Sequence, residues 1–379
     1  MRIGLITPGF SASEADWCIP ALLNLVRVLA RQHEVHVFTL RYPYRRHSYS
    51  VYGAKVHAFG GAVAAGFRRL PLLGWALAGI VSQHRRRPFD LLHGLWADEP
   101  GFLAVIAGYV LKGPTVVSLL GGELVGLSDI GYGSQLSRIG RWLIWFSLRG
   151  ATRVTVGSTY LRRLAQSYVA SERLLRIPLG VDTDLFYPES KPVSSPPLLE
   201  GRIKLLHVAS LIPVKDQIML LYALSQIVIQ EPYVHLHVIG EGPLRRYLEG
   251  QVKRLGVTDH VTFHGAIPHE QLPAYYRSAD LCVLTSRYES QGMVTLEAAA
   301  CARTTVGTAV GVLPELTPAT RAVPVRDASA LSETLLTTLQ DPSTVAALGR
   351  ASQAAAAHYS LEQMVEKLCS VYTELSAAR

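Results

Sequence analysis

The chain has 379 residues, of which 49% are apolar and only 17% charged. That length predicts two domains, and the composition excludes a disordered or fibrous chain. The net charge of +8 raises the question of nucleic acid. However, the basic residues stand in short clusters, mostly in the first half (Arg45-Arg46, Arg68-Arg69, Arg85 to Arg87, Arg162-Arg163), and no aromatic stripe is interleaved with them. An anionic membrane surface or a phosphorylated ligand suits such clusters at least as well.

The opening "MRIGLITPGF" has too short an apolar run for a secretory leader and reads as a first strand. Further strands are expected at "EVHVFTL", "DLLHGL", "TVVSLL", "RVTVGS" and "LLRIPLG". The longest apolar stretch, "LPLLGWALAGIV", is broken by Pro71, Gly74 and Gly79 and falls short of the ~20 residues a bilayer requires. In "IGRWLIWFSLRG", Trp142 and Trp145 share a helix face with nearby arginines. Packing under the helix and contact with a membrane surface both explain them. Cys18, Cys282, Cys301 and Cys369 lack paired spacing and read as small core residues of a reducing compartment. A cytoplasmic protein is expected, with a place at the inner membrane face left open.

"FYPESKPVSSPPLLEGR" has the composition of an interdomain linker. It separates an N-terminal domain (1–185) from a C-terminal domain (203–355), with the linker at 186–202. The second domain adds strands at "KLLHVASL", "VHLHVIG", "VTFHGAI", "LCVLTS", "TTVGTAV" and "AVPV". Residues 356–379 end in an amphipathic helix suited to packing back across the domain junction. Apolar strands alternating with helical crossovers predict an α/β protein of two doubly wound, Rossmann-like domains facing a cleft.

The chemistry concentrates in the second half. "VIGEGP" places Gly240 and Gly242 in a turn between a strand and a helix, where backbone N–H groups can approach a phosphate. Lys215, in "ASLIPVKDQ", lies within reach of a pyrophosphate, although a solvated loop lysine is the commoner case. In "LTSRYESQGMVTLE", Gly292 and Met293 offer N–H groups at a helix start. Glu289 projects from the loop, and Glu297 is expected about two turns into the helix. A carboxylate can accept hydrogen bonds from two vicinal hydroxyls, as when an acidic residue holds a ribose. On spacing alone, a surface glutamate plus a salt-bridged helix glutamate explains the pair equally well.

From Lys204 to Leu316 the sequence resembles, in order, the donor domain of the retaining GT-B glycosyltransferases of group 1 (family 4). The resemblance rests on "VASLIPVKD", "VIGEGPLRRYLE", "VTFHGAIPHEQLPAYYRSADLCVLTSRYESQGMVTLEAAAC" and "GTAVGVLPEL". The Glu-x7-Glu element from Glu289 to Glu297 is that family's signature. It implies that Glu297 grips the ribose of a nucleotide diphosphate sugar, and that Glu289 with the Gly292 and Met293 amides holds the sugar. By the same likeness Lys215 neutralises the pyrophosphate. Ser210 stands where many relatives carry an arginine, which places more of the phosphate charge on Lys215 and the amides.

The first half resembles the family's acceptor domain less closely, through "LARQHEVHVFTL", "DLLHGLWADEPGFLA", "RVTVGSTYLRRL" and "IPLGVDTDLFYP". Leu120 replaces the usual histidine before Gly121 and Gly122, and Glu123 stands where aspartate is common. His93 and Glu123 are the candidate polar groups near the acceptor; for His93, a histidine satisfied within its strand is the alternative. Asp182 and Asp184 match a structural "GVD" turn, so no metal is expected. The resemblance implies a retaining, metal-independent transferase. It moves a sugar to a hydroxyl acceptor (a glycan, a lipid-linked group or a small molecule), with no cofactor beyond the nucleotide sugar itself. In the alternative, a catalytically weak or silent relative binds a sugar nucleotide or a protein. Nucleic acid ranks last among the partners, and a peripheral contact with an anionic membrane is left open.

Overall fold

The computed structural model of the chain describes residues 1–61, 69–188, 198 and 202–378. Most of the expected linker, and Arg68, lie outside them. The chain divides into two compact units, Met1–Gly180 with Leu361–Arg379, and Val181–Ser360. The divisions fall at 180/181 and 360/361, where 185 and 355 were expected. The reason is local: the Val181 N–H donates to the Tyr359 carbonyl at 2.8 Å. Beyond it, Phe186 and Leu198 are buried in the second unit's core.

The first unit runs β1 (Arg2–Gly9), α1 (Pro20–Leu29), β2 (Glu34–Tyr42), β3 (His47–Val51), β4 (Ala54–Ala58), α2 (Arg69–Arg86) and β5 (Leu91–Leu95). It continues with α3 (Glu99–Leu111), β6 (Thr115–Leu119), α4 (Arg138–Gly150), β7 (Arg153–Val156), α5 (Thr159–Ala165) and β8 (Leu174–Arg176). The strands form an eight-stranded sheet in the order β3-β4-β2-β1-β5-β6-β7-β8. All neighbours pair in parallel except β3 and β4. The continuous apolar runs became β1, β2 and β5 to β8, because burial on both faces demands such runs. The β3–β4 hairpin was not anticipated. Its strands, "HSYSV" and "AKVHA", mix polar and apolar residues at the sheet's edge, where solvent reaches part of them. Helix starts follow local chemistry: Pro20 opens α1, and the Ser137 and Ser158 hydroxyls accept from the Gly140 and Leu161 N–H groups to cap α4 and α5.

The second unit contains β9 (Ile203–Val208), α6 (Gln217–Gln230), β10 (Val234–Ile239), α7 (Arg245–Arg254), β11 (Val261–Gly265), α8 (Leu272–Ser278) and β12 (Leu281–Leu284). It closes with α9 (Met293–Ala300), β13 (Thr305–Thr308), β14 (Arg321–Val323), α10 (Ala328–Leu339) and α11 (Pro342–Ala356). Its sheet is wholly parallel in the order β11-β10-β9-β12-β13-β14. The last helix, α12 (Leu361–Ala377), belongs to the first unit. Its Met364, Leu368 and Tyr372 share a core with Leu22 and Leu25 of α1.

The strand order locates the site. The chain enters the second sheet at β9, builds outward through β10 to β11, then crosses back to β12 on the other side of β9. At such a reversal the loops leaving the carboxyl ends of the two strands diverge and open a crevice.

Candidate functional site

Two loops meet at the β9/β12 switch point. Lys215 ends a short turn after β9, and Glu289 lies in the loop after β12. The Lys215 ammonium donates to Glu289 Oε1 at 2.5 Å, and the Ser286 hydroxyl donates to the same oxygen at 2.6 Å. The backbones are tied as well: the Thr285 hydroxyl donates to the Lys215 carbonyl at 2.9 Å, and the Arg287 N–H to the Val214 carbonyl at 2.8 Å. Beneath them His207 is fully buried, and burial holds its imidazole down to about 4, so it is neutral. Its Nδ1 donates to the Val283 carbonyl at 2.9 Å, which leaves Nε2 to face the Gln217 amide at 3.4 Å. Gln217 also donates to the carbonyl of the exposed Ser210, at 3.0 Å. A buried network therefore fixes the end of β9.

The glycines have distinct roles. Gly240 has φ +132, and a Cβ there would lie 2.0 Å from the Ala209 carbonyl oxygen; at Gly242 it would lie 2.5 Å from that of Leu211. Both positions let the loop after β10 press against the loop after β9. Gly292 (φ +82) precedes α9, which begins at Met293. First-turn N–H groups of a helix have no intrahelical acceptor, so the residues around Gly292 and Met293 present donors and positive dipole beside Glu289.

Glu297 is the fifth residue of α9, little more than one turn in, where two turns were expected, because the helix starts only at Met293. It is 7% exposed. The Tyr276 hydroxyl donates to its Oε2 at 2.8 Å, and His269 Nε2 lies 3.3 Å from its Oε1. Burial, and next the Glu297 carboxylate, push the Tyr276 phenol well above its usual range, so it remains a donor. Phe186 meets both rings edge-on, with centroids 5.1 Å from His269 and 5.9 Å from Tyr276. Sequence reasoning missed Tyr276 and His269. They precede Glu297 by 21 and 28 residues, a separation that carries no pattern. Neither glutamate is solvated, which removes the reading of Glu289 and Glu297 as a surface pair.

Two first-unit expectations need correction. His93 is not presented to a ligand. It has no exposed surface and bridges the Tyr372 hydroxyl (2.6 Å) and the Ser118 hydroxyl (2.7 Å), and burial holds it down to about 3. Glu123 is 1% exposed and accepts from the backbone N–H groups of Ala97 (3.3 Å), Leu120 (3.1 Å) and Gly121 (2.6 Å). It fastens the loop after β6 to the loop after β5. Burial, then the neighbouring Asp98, push its carboxyl up to about 7. Asp182 accepts from the Asp184 N–H at 3.2 Å, as a turn residue does. Among the described residues no group of three or more His, Cys, Asp or Glu side chains is placed to hold a metal ion. None of the described helices is long and apolar enough to cross a membrane. On α4, Trp142 packs against Phe102 and Phe146, with ring centroids 5.6 Å from each, yet it and Trp145 are half exposed (52% and 48%) and Ile139 is 64% exposed.

Two doubly wound units of this kind define the GT-B fold. Solved structures share it across the whole chain. Sucrose-phosphate synthase from Thermosynechococcus elongatus has a TM-score of 0.81 at 21% identity, covering 100% of both chains. Alr3699/HepE from Anabaena, in complex with UDP, has a TM-score of 0.74 at 19% identity, covering 99% of this chain and 100% of that one. Residues 193–355 match the family described as glycosyl transferases group 1, and residues 21–185 match Glycosyltransferase Family 4. The chain belongs to this glycosyltransferase family. One relative is the GDP-mannose-dependent alpha-(1-6)-phosphatidylinositol monomannoside mannosyltransferase of Mycolicibacterium smegmatis, 32% identical over 55% of this chain and 57% of that one. Another is the D-inositol 3-phosphate glycosyltransferase of Segniliparus rotundus, 32% identical over 55% of this chain and 49% of that one. The chain thus spans about half the length of these relatives.

Proposed function

We propose that this protein is a retaining, metal-independent glycosyltransferase that moves a sugar from a nucleotide diphosphate sugar to a hydroxyl acceptor. One observation carries the reading: Lys215, Glu289 and the start of α9 converge at the β9/β12 switch point, with Glu297 one turn further along. In this reading Lys215 and the first amides of α9 take the diphosphate charge, Glu289 holds the sugar and Glu297 holds the ribose. Gly240 and Gly242 keep the neighbouring loop low enough for the diphosphate to pass.

Burial of His93 and Glu123 leaves no base on those two side chains, and retention needs none there. The bond from the anomeric carbon to the diphosphate oxygen breaks, the acceptor oxygen bonds on the same face, and the departing oxygen takes the acceptor's proton. Rate then comes from positioning and from stabilising the leaving charge. The first relative's name favours GDP-mannose as donor, and both names favour an inositol-bearing acceptor, lipid-linked in the first case. The outer face of α4 supports a lipid-linked acceptor. Ile139, Trp142 and Trp145 share it with Arg138, Arg141 and Arg149, and α4 contains no acidic residue. That combination suits peripheral contact with an anionic membrane.

The test is a thermal-shift screen of GDP, UDP and ADP, followed by donor-hydrolysis assays of the matching nucleotide sugars with and without EDTA. Turnover that survives EDTA supports the reading. Binding without turnover would make the chain a silent sugar-nucleotide binder, and loss of turnover with EDTA would make it metal-dependent.

A further inference from the structure

We propose that Tyr276 and His269 are positioning residues that make the nucleotide site selective for ribose. The proposal rests on the reading of Glu297 as the ribose-holding group. A carboxylate this buried has to be satisfied by nearby donors. Here each oxygen meets one ring group: Oε2 takes the Tyr276 hydroxyl at 2.8 Å and Oε1 faces His269 Nε2 at 3.3 Å. A carboxylate has about four acceptor positions. One donor on each oxygen leaves a further position on each, the arrangement that receives two neighbouring hydroxyls.

Among the described residues no lysine or arginine pairs with Glu297, so no fixed cation competes with a sugar for its charge. The rings are themselves held. Tyr276 and Phe186 are each 1% exposed, and Phe186 packs edge-on against both Tyr276 and His269. The carboxylate is therefore met by two ring donors, of which Tyr276 is fully buried and both pack against Phe186.

The experiment measures calorimetric dissociation constants for whichever of GDP, UDP and ADP the wild type binds tightest, and for its 2′,3′-dideoxy counterpart. The wild type is expected to favour the ribonucleotide by about tenfold or more. Glu297→Ala should abolish that preference. Tyr276→Phe removes one hydroxyl and keeps the ring. It should weaken the ribonucleotide about three- to tenfold while leaving the dideoxy form unchanged. If Tyr276→Phe weakens both ligands equally, or neither, while Glu297→Ala weakens the ribonucleotide alone, the positioning role is overturned and the ribose reading stands. If the wild type shows no preference, or Glu297→Ala weakens both forms alike, the ribose reading falls and the proposal with it. Should Tyr276→Phe fail to fold, His269→Asn is read by the same ratio.

Discussion

Lys215 and Glu289 form an ion pair at 2.5 Å, although 74 residues separate them in sequence. Each is carried by a loop leaving one of two hydrogen-bonded strands, β9 and β12. The groups proposed to meet a donor's diphosphate and sugar thus lie within hydrogen-bond distance of each other.

This pairing predicts opposite effects for its two members. Lys215→Met should weaken nucleoside diphosphate binding by ~1.5–3 kcal/mol, the size of a hydrogen bond to a charged group. Glu289→Gln releases Lys215, so the bare diphosphate should bind as tightly as to wild type or more so, while sugar transfer falls about a hundredfold. Titration calorimetry beside a transfer assay reads both. Equal losses of binding and transfer in Glu289→Gln would reduce it to a structural partner of Lys215.

Gly240 and Gly250 make a contrasting pair. A side chain at Gly240 meets the Ala209 backbone at a φ that L residues avoid, whereas nothing lies within 4 Å of a Cβ at Gly250 in α7. Gly240→Ala should destabilise the second unit by at least ~2 kcal/mol and weaken donor binding. Gly250→Ala should stabilise it by ~0.5–1 kcal/mol through helix propensity. Thermal midpoints of the two variants check this, and a neutral Gly240→Ala would show that the loop after β10 is free to move.

Acid should unfold the second unit first. His207 is held near 4 by burial, against 6.5 in the unfolded chain. The unfolded chain takes up the proton first, so this contribution is complete above pH 6.5 and drains as the pH falls towards 4. One such group loses ~1.4 kcal/mol per pH unit across that window. His235 and His237, also lowered by burial, act in the same direction. In the first unit, His93 and His57 (held near 4), together with His33 and His36, also lowered by burial, are opposed by Glu123 (pushed up to about 7) and Asp98 (to about 6). The folded form of these carboxyls holds protons that the unfolded chain releases, so their contribution is present at low pH and lost as the pH rises through those values. Between pH 7.5 and 5 the second unit's calorimetric transition should therefore fall further than the first unit's. Equal shifts would contradict the offset.

The face of α4 predicts salt-sensitive binding to vesicles containing phosphatidylglycerol, with each arginine near the surface contributing ~1 kcal/mol. The Trp142→Ser, Trp145→Ser double variant should lose flotation with such vesicles and retain nucleotide binding. About 0.5 M salt should have the same effect on the wild type. Flotation unchanged by both would remove the membrane contact.

Much of this protein is written in local pattern. Strands buried on both faces must be continuous apolar runs, so the two doubly wound sheets could be read from the sequence, as could the Glu-x7-Glu spacing that brackets the start of α9. The β3–β4 hairpin could not, because an edge strand needs no such run. Tertiary structure alone decided what the polar residues do. His93, midway along β5, and Glu123, in the loop after β6, look ready for a ligand, yet packing seals both. Tyr276, by contrast, looks like one more core aromatic until α8 and α9 pack and its hydroxyl meets Glu297. Burial and hydrogen-bond partnership depend on neighbours distant in the chain, and those neighbours determine which carboxylates remain available for chemistry.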